Sequence, residues 1–316
     1  MSKIVLGVGA SHSTLMNTHW SEVEHLPAAH HFRDGLKAGA DAIREARPDV
    51  VVVLGSNHFR GLFLDLMPSI TVGVDEVLGA GEADTPAGPL PVDRSLAKHL
   101  VDSLVFDEFD PAFSLRLTVD HGITHSLQHL VPDLDVPTVP VVLNMFAPPL
   151  ISLRRAASLG RSIADAVASD GEDKRVVVIA SGGLSHRLPW PDWADTLSDD
   201  DRFLVEAWLN GRQQWKEFEV RRRQIIRAAA PQINPEFDRR FLAQFEAGDL
   251  AEIIAASNDD IEKEAGNGAQ EIRSWIAMTE AVGAGRGTTL AYEPIDEWLT
   301  GMAVGLYQPN EGAEHA

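Results

Sequence analysis

Runs of consecutive apolar residues alternate with longer amphipathic stretches over about the first 190 residues of the chain. Short apolar runs bounded by glycine or proline predict strands that are buried on both faces. Six such strands are predicted, at 3–8, 49–54, 69–74, 114–119, 137–143 and 175–180. Apolar residues at helical spacing predict helices between them, over 32–46, 93–105 and 152–169. This alternation predicts an α/β fold with a central, mostly parallel sheet flanked by helices.

The pattern changes after about residue 190, where apolar residues recur at helical spacing and the strand-like runs end. The predicted helices lie at 199–209, 215–229, 236–246, 249–256, 269–283 and 294–302. No linker rich in serine, glycine or proline separates the two parts, so we expect a single domain over 1–316. Within it, an α/β body (about 1–190) precedes a helical C-terminal subdomain (about 191–305) and a disordered tail (about 306–316).

A loop rich in glycine and proline, LGAGEADTPAGPLPVD, covers residues 78–93. Loops of this length in compact α/β folds are either functional or mobile. The sequence leaves both interpretations open here, as a lid or pocket wall on the one hand and a mobile segment on the other.

The composition narrows the possible functions. With 47 acidic against 27 basic residues the formal charge is −20, which disfavours binding to nucleic acid. The chain has no cysteine, so any bound metal must be held by nitrogen and oxygen ligands. There is no apolar run of membrane-spanning length and no signal-peptide pattern, so we expect a cytoplasmic protein without a membrane partner.

Three predicted strands are each followed by a histidine after a few small residues. IVLGVGASH leads to His12, VVVVLGSNH leads to His58 and VVVIASGGLSH leads to His186. The carboxyl ends of parallel strands share one edge of a sheet, where ligands of open α/β folds bind. A single histidine in this position is more often structural. Three with the same pattern predict a common site.

A fourth histidine, His121 in TVDHG, precedes a predicted helix. Asp120 could either orient its ring or cap that helix. His125 and His129 follow at steps of four residues, and we expect them on the helix surface.

Two histidines and one carboxylate form a facial triad that suits non-haem Fe(II). Glu271, in the segment EKEAGNGAQEIRSWIAM, lies in the first turn of a predicted helix beside its buried stripe. Glu262 and Glu264 are alternatives. Spacing alone slightly favours a simpler interpretation of Glu271, as an ordinary first-turn glutamate that interacts with the helix dipole.

These motifs resemble those of the class III (LigB-type) extradiol ring-cleaving dioxygenases over about residues 4–300. The matching segments are SHS at 11–13, the histidine that follows the second strand, VDHG at 119–122, SGGLSH at 181–186 and a GxxxEIxxW-like segment that ends at Trp275. Family members commonly have histidine where this chain has Gln270, a departure that concerns the surroundings of the metal or the substrate pocket.

The resemblance implies Fe(II) held by His12, His58 and Glu271, and so selects Glu271 among the three glutamates. It also implies that His121 and His186 act as acid/base residues in the cleavage of a substituted catechol by O2. The expected product is a ring-opened acid with an oxo or semialdehyde group. We further expect a homo-oligomer.

Many substrates of this class carry a carboxylate, which Arg60 or Arg187 could bind, since both lie close to site histidines in sequence. A solvent-facing arginine is the simpler explanation for each. Asp120 is a third candidate for substrate contact.

Four other functions remain open. A protocatechuate- or gallate-type enzyme would cleave at the 4,5 position, and a zinc enzyme could use the same residues. A non-catalytic binding protein on this fold would be expected to lack some of them. A serine hydrolase centred on Ser185 is disfavoured, because its GxSxG motif needs glycine where Arg187 stands.

Overall fold

The computed structural model describes residues 1–212 and 214–310 of the chain. The strands are β1 (Lys3–Ala10), β2 (Val50–Ser56), β3 (Ile70–Ala80), β4 (Ala87–Leu90), β5 (Ala112–Val119), β6 (Thr138–Leu143), β7 (Arg175–Ser181), β8 (Gly285–Ile295) and β9 (Thr300–Pro309). They form one sheet in the order β4-β3-β6-β2-β7-β1-β9-β8, with β5 paired to β3.

The described residues also contain a set of α-helices that flank the sheet. These are α1 (Thr14–Thr18), α2 (Trp20–Val23), α3 (Pro27–Ala46), α4 (Arg94–Phe106), α5 (His121–Leu130), α6 (Leu153–Ser169), α7 (Asp199–Asn210), α8 (Trp215–Arg227), α9 (Pro235–Ala247), α10 (Ala251–Ala255), α11 (Asn258–Ala265) and α12 (Ile272–Val282). None of the described helices is long and apolar enough to cross a membrane.

Alternating side chains of the central strands enter two separate cores. In β2, Val51 and Val53 pack on the side of α3 and α5, whereas Val50 and Val52 pack on the side of α4, α6 and α12. All four side chains are buried. Each stabilises the fold by roughly 1.5–3 kcal/mol relative to an exposed position. Because both faces of β2 are buried, its sequence is a continuous apolar run with no alternation of polar residues.

The α/β fold and the flanking helices are confirmed, but the sheet is mixed. The four central strands, β6, β2, β7 and β1, are parallel to one another. Antiparallel pairs surround them, namely β3–β4, β3–β6, β1–β9 and β8–β9. The parallel part is the one that matters for the histidines, because it contains all three strands that precede them.

The helix predicted over 294–302 is wrong. β8 ends at Ile295, a short 3-10 turn covers Asp296–Trp298, and β9 begins at Thr300. Ile295, Trp298 and Met302 have helical spacing, but they are buried around a tight connection between two antiparallel strands. The helical portion therefore ends before β8. Of the predicted tail, 306–309 belongs to β9, and 311–316 lies outside the described residues.

Two glycines allow the start of α5 to pack against the backbone of β2. A Cβ at Gly55 would lie 2.1 Å from the carbonyl oxygen of Gly122, and a Cβ at Gly122 would lie 2.2 Å from that of Ser56. Real Cβ atoms do not approach oxygen so closely. The position of His121, which begins α5, therefore depends on the absence of a Cβ atom at Gly55 and at Gly122.

We expect Gly55→Ala to lower the free energy of unfolding by about 1–3 kcal/mol, because the new methyl group must displace backbone. Gly39→Ala is the matched control. Its Cβ would meet the Cδ2 atom of Leu130 at 3.0 Å, and a side-chain end can move aside. Urea denaturation of both variants measures the difference. Equal effects of the two substitutions would contradict the steric explanation.

Candidate metal centre and active site

Three histidines lie at the carboxyl edge of the sheet, just beyond central parallel strands. His12 follows β1, His58 follows β2 and His186 follows β7, and these strands are neighbours in the order β2-β7-β1. The rings of His12 and His58 are 5.1 Å apart between centroids, and all three side chains are buried. The fold thus brings the three histidines together at one edge.

Glu271 is the carboxylate that faces these imidazoles, at the start of α12. Its Oε1 atom lies 3.4 Å from Nε2 of His12 and 3.7 Å from Nε2 of His58. The Ser56 hydroxyl donates to the same oxygen, and the Gly183 N–H donates to Oε2 at 2.8 Å. Two imidazole nitrogens and one carboxylate oxygen therefore converge on a common point.

The alternative carboxylates lie on α11, away from this point. The side chain of Glu264 is 42% exposed and accepts two hydrogen bonds from Arg240. The side chain of Glu262 is 48% exposed and lies 3.6 Å from Arg187. Both carboxylates are therefore paired with arginines at the protein surface.

The protonation states of the converging groups suit a divalent cation. Burial lowers the pKa of His12 to about 4, so its imidazole is neutral at pH 7. Burial opposes ionisation of Glu271, but attraction to His12, His58 and His186 lowers its pKa below the usual value. Neutral imidazole and ionised carboxylate are the forms that bind metals. Two histidines and one carboxylate also leave coordination positions open, which fits Fe(II).

Hydrogen bonds at Nδ1 orient both imidazoles so that Nε2 faces Glu271. His12 Nδ1 lies 3.0 Å from the Ser181 hydroxyl, and His58 Nδ1 lies 3.3 Å from Asp120 Oδ1. Asp120 also caps the N-terminus of α5. Of the two roles considered for it, Asp120 thus performs the capping, and the ring it contacts belongs to His58. Such partners fix the ring orientation of metal-binding histidines.

Two glycines make room for site side chains. A Cβ at Gly182 would lie 2.5 Å from the carboxyl carbon of Glu271, and a Cβ at Gly268 would lie 2.0 Å from Nε2 of His186. Gly182 also has a φ of 105°, which other residues rarely adopt. Gly182 of SGGLSH and Gly268 of GNGAQE are therefore required by the approach of the carboxylate and the imidazole.

His186 and His121 present the remaining imidazoles. Nδ1 of His186 lies 3.0 Å from the Leu184 carbonyl oxygen, which makes Nδ1 the donor and leaves Nε2 unprotonated.

The ring of His121 lies 3.8 Å from the ring of His58. Its Nδ1 lies 2.8 Å from Oε1 of Glu82, a residue that the sequence did not single out. Burial raises the pKa of Glu82 to about 7.

The expectation that His125 lies on the helix surface is wrong. Its side chain is buried, and its ring lies 6.0 Å from the ring of His12. The helix α5 packs between the sheet and α3, so nearly all of its residues are enclosed. His129, one turn further, is partly buried.

The four site histidines line one common cavity. Its lining includes the apolar side chains of Leu15, Leu188, Trp190, Ile226 and Trp298, and the arginines Arg60, Arg223 and Arg227. The apolar walls can enclose an aromatic ring, and the arginines can bind an anionic group.

The two arginines predicted from sequence differ in their positions. Arg60 lines the cavity, but its guanidinium donates to Glu219 at 2.7 and 2.9 Å and to the His58 carbonyl oxygen at 2.6 Å. Arg187 donates to the Glu262 carbonyl oxygen at 2.8 Å and lies outside the cavity lining. Both guanidinium groups are therefore already engaged.

Arg223 and Arg227 were not predicted from sequence. They lie four residues apart on α8, in the segment RRRQIIR, and share one face of the helix. The sequence shows a cluster of basic residues in this segment. Only the tertiary structure shows that its helix lines the cavity.

Ser185 is held in place by a buried aspartate of α9. Its N–H and its hydroxyl each donate to the Asp238 carboxylate at 2.8 Å. The Tyr292 hydroxyl donates to the same carboxylate at 2.8 Å. These bonds fix the segment that carries His186, and they give Ser185 a structural role.

The chain is similar in sequence to proteins of one family. The family model described as the catalytic LigB subunit of aromatic ring-opening dioxygenase matches residues 7–303. A Cupriavidus necator protein named 2,3-dihydroxyphenylpropionate/2,3-dihydroxicinnamic acid 1,2-dioxygenase is 34% identical over 285 residues, covering 86% of this chain and 89% of its own. A Rhodococcus sp. protein of the same name is 35% identical over 312 residues, covering 93% and 95%.

A crystal structure of an uncharacterized protein from Escherichia coli K12 is similar in fold, with a TM-score of 0.53 at 14% sequence identity. The similarity covers 96% of this chain and 99% of the other. At this identity the likeness concerns the fold alone.

Burial raises the pKa of Asp238 to about 6, above that of an unfolded aspartate. The folded state therefore binds this proton more tightly, and the resulting stability is complete below about pH 4 and is lost as the pH rises through about 6. Between pH 7 and pH 5, the wild type should gain about 1 kcal/mol of stability relative to Asp238→Asn.

Urea unfolding of both proteins at the two pH values measures this gain. Asp102→Asn, at an exposed position on α4, is the control and should show a smaller difference. A wild type whose pH dependence matches that of Asp238→Asn would contradict the assignment of a raised pKa.

Proposed function

The chain belongs to the LigB family of aromatic ring-opening dioxygenases and is an extradiol dioxygenase, and from this premise we propose that it uses Fe(II) and O2 to cleave a catechol that carries an acidic side chain. The observation that carries the proposal is the convergence of two Nε2 atoms on one oxygen of Glu271, at 3.4 and 3.7 Å, beside a cavity that all four site histidines line.

His12, His58 and Glu271 would hold the metal. When bound, Fe(II) supplies Lewis acidity towards the catechol oxygens and redox activity towards O2. Zinc has no redox chemistry, so the same ligands with zinc would not support a reaction with O2. The buried position of all three side chains excludes water from the ligands and maintains their orientation.

His186 would act as the base towards a catechol hydroxyl. Its Nδ1 proton is directed to the Leu184 carbonyl oxygen, so Nε2 accepts the incoming proton. Burial lowers the pKa of His186, which keeps the imidazole neutral near pH 7. General acid/base groups need only hydrogen-bond reach and a suitable protonation state.

His121 would act as the acid/base group on the other side of His58. Its Nδ1 is occupied by Glu82, so Nε2 is the atom that exchanges a proton with a substrate oxygen as the ring opens. The product of this reaction is a ring-opened acid with an oxo or semialdehyde group.

The acidic side chain of the substrate would bind to Arg223 and Arg227. Both line the cavity that the histidines share. Arg223 pairs with Glu219 at 2.8 Å and Arg227 pairs with Glu22 at 3.0 Å, but these arginines are 36% and 50% exposed. The Arg227–Glu22 pair is half exposed on both sides and therefore weak, so a substrate carboxylate can compete for Arg227. Glu219 is only 14% exposed and holds Arg223 more firmly. The names of the relatives support this, since both substrates in them are carboxylic acids.

We expect His12→Ala, His58→Ala and Glu271→Ala each to lose bound iron, because one ligand of three is removed. His186→Ala should keep iron and lose kcat by about 10²–10⁴-fold. Glu264→Ala is the control, as its carboxylate lies at the surface. Metal analysis after anaerobic Fe(II) loading, together with O2 uptake, measures both effects. Full iron retention in all three ligand variants would overturn the assignment.

Arg223→Gln and Arg227→Gln should each raise KM for 2,3-dihydroxyphenylpropionate by about tenfold or more, since a charge-assisted hydrogen bond is lost. KM for unsubstituted catechol should change little, because it has no carboxylate. Arg187→Gln, outside the cavity, is the matched control. Protocatechuate and gallate complete the substrate panel. An equal loss with catechol and with the acid would contradict a role in carboxylate recognition.

A further inference from the structure

Glu82 is a buried glutamate within the glycine- and proline-rich loop between β3 and β4. It begins a 3-10 turn in which Ala83 and Asp84 have φ values of 52° and 58°. Positive φ values at residues other than glycine are strained and persist only where the surroundings enforce them. The Thr85 hydroxyl and N–H donate to the Glu82 carbonyl oxygen at 2.7 and 3.0 Å, which closes the turn.

Side chains from two helices hold this turn in place. Asn17 of α1 donates to the Ala83 carbonyl oxygen at 3.1 Å, and Gln128 of α5 donates to the Asp84 carbonyl oxygen at 3.0 Å. Asn17 and Gln128 are also hydrogen-bonded to each other at 3.0 Å. The turn is therefore attached to the same helix that begins with His121.

One oxygen of Glu82 contacts His121 twice. Oε1 accepts the backbone N–H of His121 at 2.6 Å and lies 2.8 Å from its Nδ1. When Oε1 carries no proton it can only accept, so Nδ1 is the donor in the second contact. The neutral ring then carries its proton on Nδ1 and presents an unprotonated Nε2.

The neighbouring carboxylate cannot perform this function. Asp120 accepts hydrogen bonds from the backbone N–H groups of His58 and Gly122 at 2.5 and 3.0 Å, and it lies 3.3 Å from Nδ1 of His58. Its two oxygens are directed to β2 and to the start of α5. The two carboxylates thus serve two different histidines.

We infer that Glu82 is the positioning residue of His121, which fixes the orientation of the ring and keeps Nε2 as the atom that faces the cavity. This inference rests on the proposed acid/base function of His121. It also gives the strained loop between β3 and β4 a function, because this loop supplies the Glu82 carboxylate. The four site histidines come from other segments of the chain.

The experiment compares Glu82→Leu, which has a similar size but no acceptor, with Glu82→Gln, whose amide oxygen can still accept both N–H groups. In iron-loaded enzyme, Glu82→Leu should lower kcat on the order of 10²-fold with KM nearly unchanged. Glu82→Gln should recover most of this loss. In a His121→Ala background, Glu82→Leu should lower kcat little further, because the residue it positions is already absent.

A second measurement does not depend on activity. ¹⁵N NMR of the ring nitrogens in metal-free protein reports which nitrogen of His121 carries the proton, and the signal is identified by its loss in His121→Ala. Wild type and Glu82→Gln should carry it on Nδ1, and Glu82→Leu should lose this preference.

The outcomes distinguish a failure of the inference about Glu82 from a failure of the proposed acid/base function of His121. Full activity of His121→Ala would overturn the proposed function of His121. A damaged His121→Ala with an undamaged Glu82→Leu would overturn the inference alone. An additive loss in the double variant would also overturn it, as would a wild-type ring with its proton on Nε2. The wild-type NMR result stands even where Glu82→Leu fails to fold.

Discussion

The structure depends on a buried carboxylate that must be matched by donors from distant parts of the chain. Glu271 is 1% exposed, and an unpaired charge at that depth would cost several kcal/mol. Imidazoles that follow β1 and β2, a hydroxyl of β2 and a backbone N–H after β7 all face it. These groups lie together at Glu271 because β2, β7 and β1 are adjacent parallel strands, so the segments at their carboxyl ends share one edge of the sheet.

The strand pattern was sufficient to predict this meeting, because apolar runs that end in glycine and histidine mark the carboxyl ends of buried parallel strands. The carboxylate was not determined by spacing, and the family resemblance was needed to select Glu271. Residues 294–302 were misjudged because their apolar side chains have helical spacing around a turn between two strands. Glu82 could not be predicted, since its partner is 39 positions away and its own loop has no periodicity.

The chain has a formal charge of −20, yet three arginines line the space above the histidines. A local positive field within an acidic protein acts only at short range, because salt screens exposed charges beyond about 8–10 Å. An anionic substrate of the kind proposed would therefore interact with the arginines of the cavity, and the overall charge would contribute little. The helical segment between β7 and β8 supplies two of these arginines, so it determines what the cavity accepts.

The last strand, β9, lies beside β1 at one side of the site and contributes none of the proposed ligands. Ser11 donates its N–H to the Ala303 carbonyl oxygen at 2.8 Å, and Gly301 exchanges backbone bonds with Leu184 and Ser185 at 2.8 and 3.0 Å. These bonds hold the segments before His12 and His186. During synthesis the strand that braces both histidines leaves the ribosome after every ligand has been made. The backbone bonds that hold both histidine segments are therefore complete only after β9 has emerged and paired with β1.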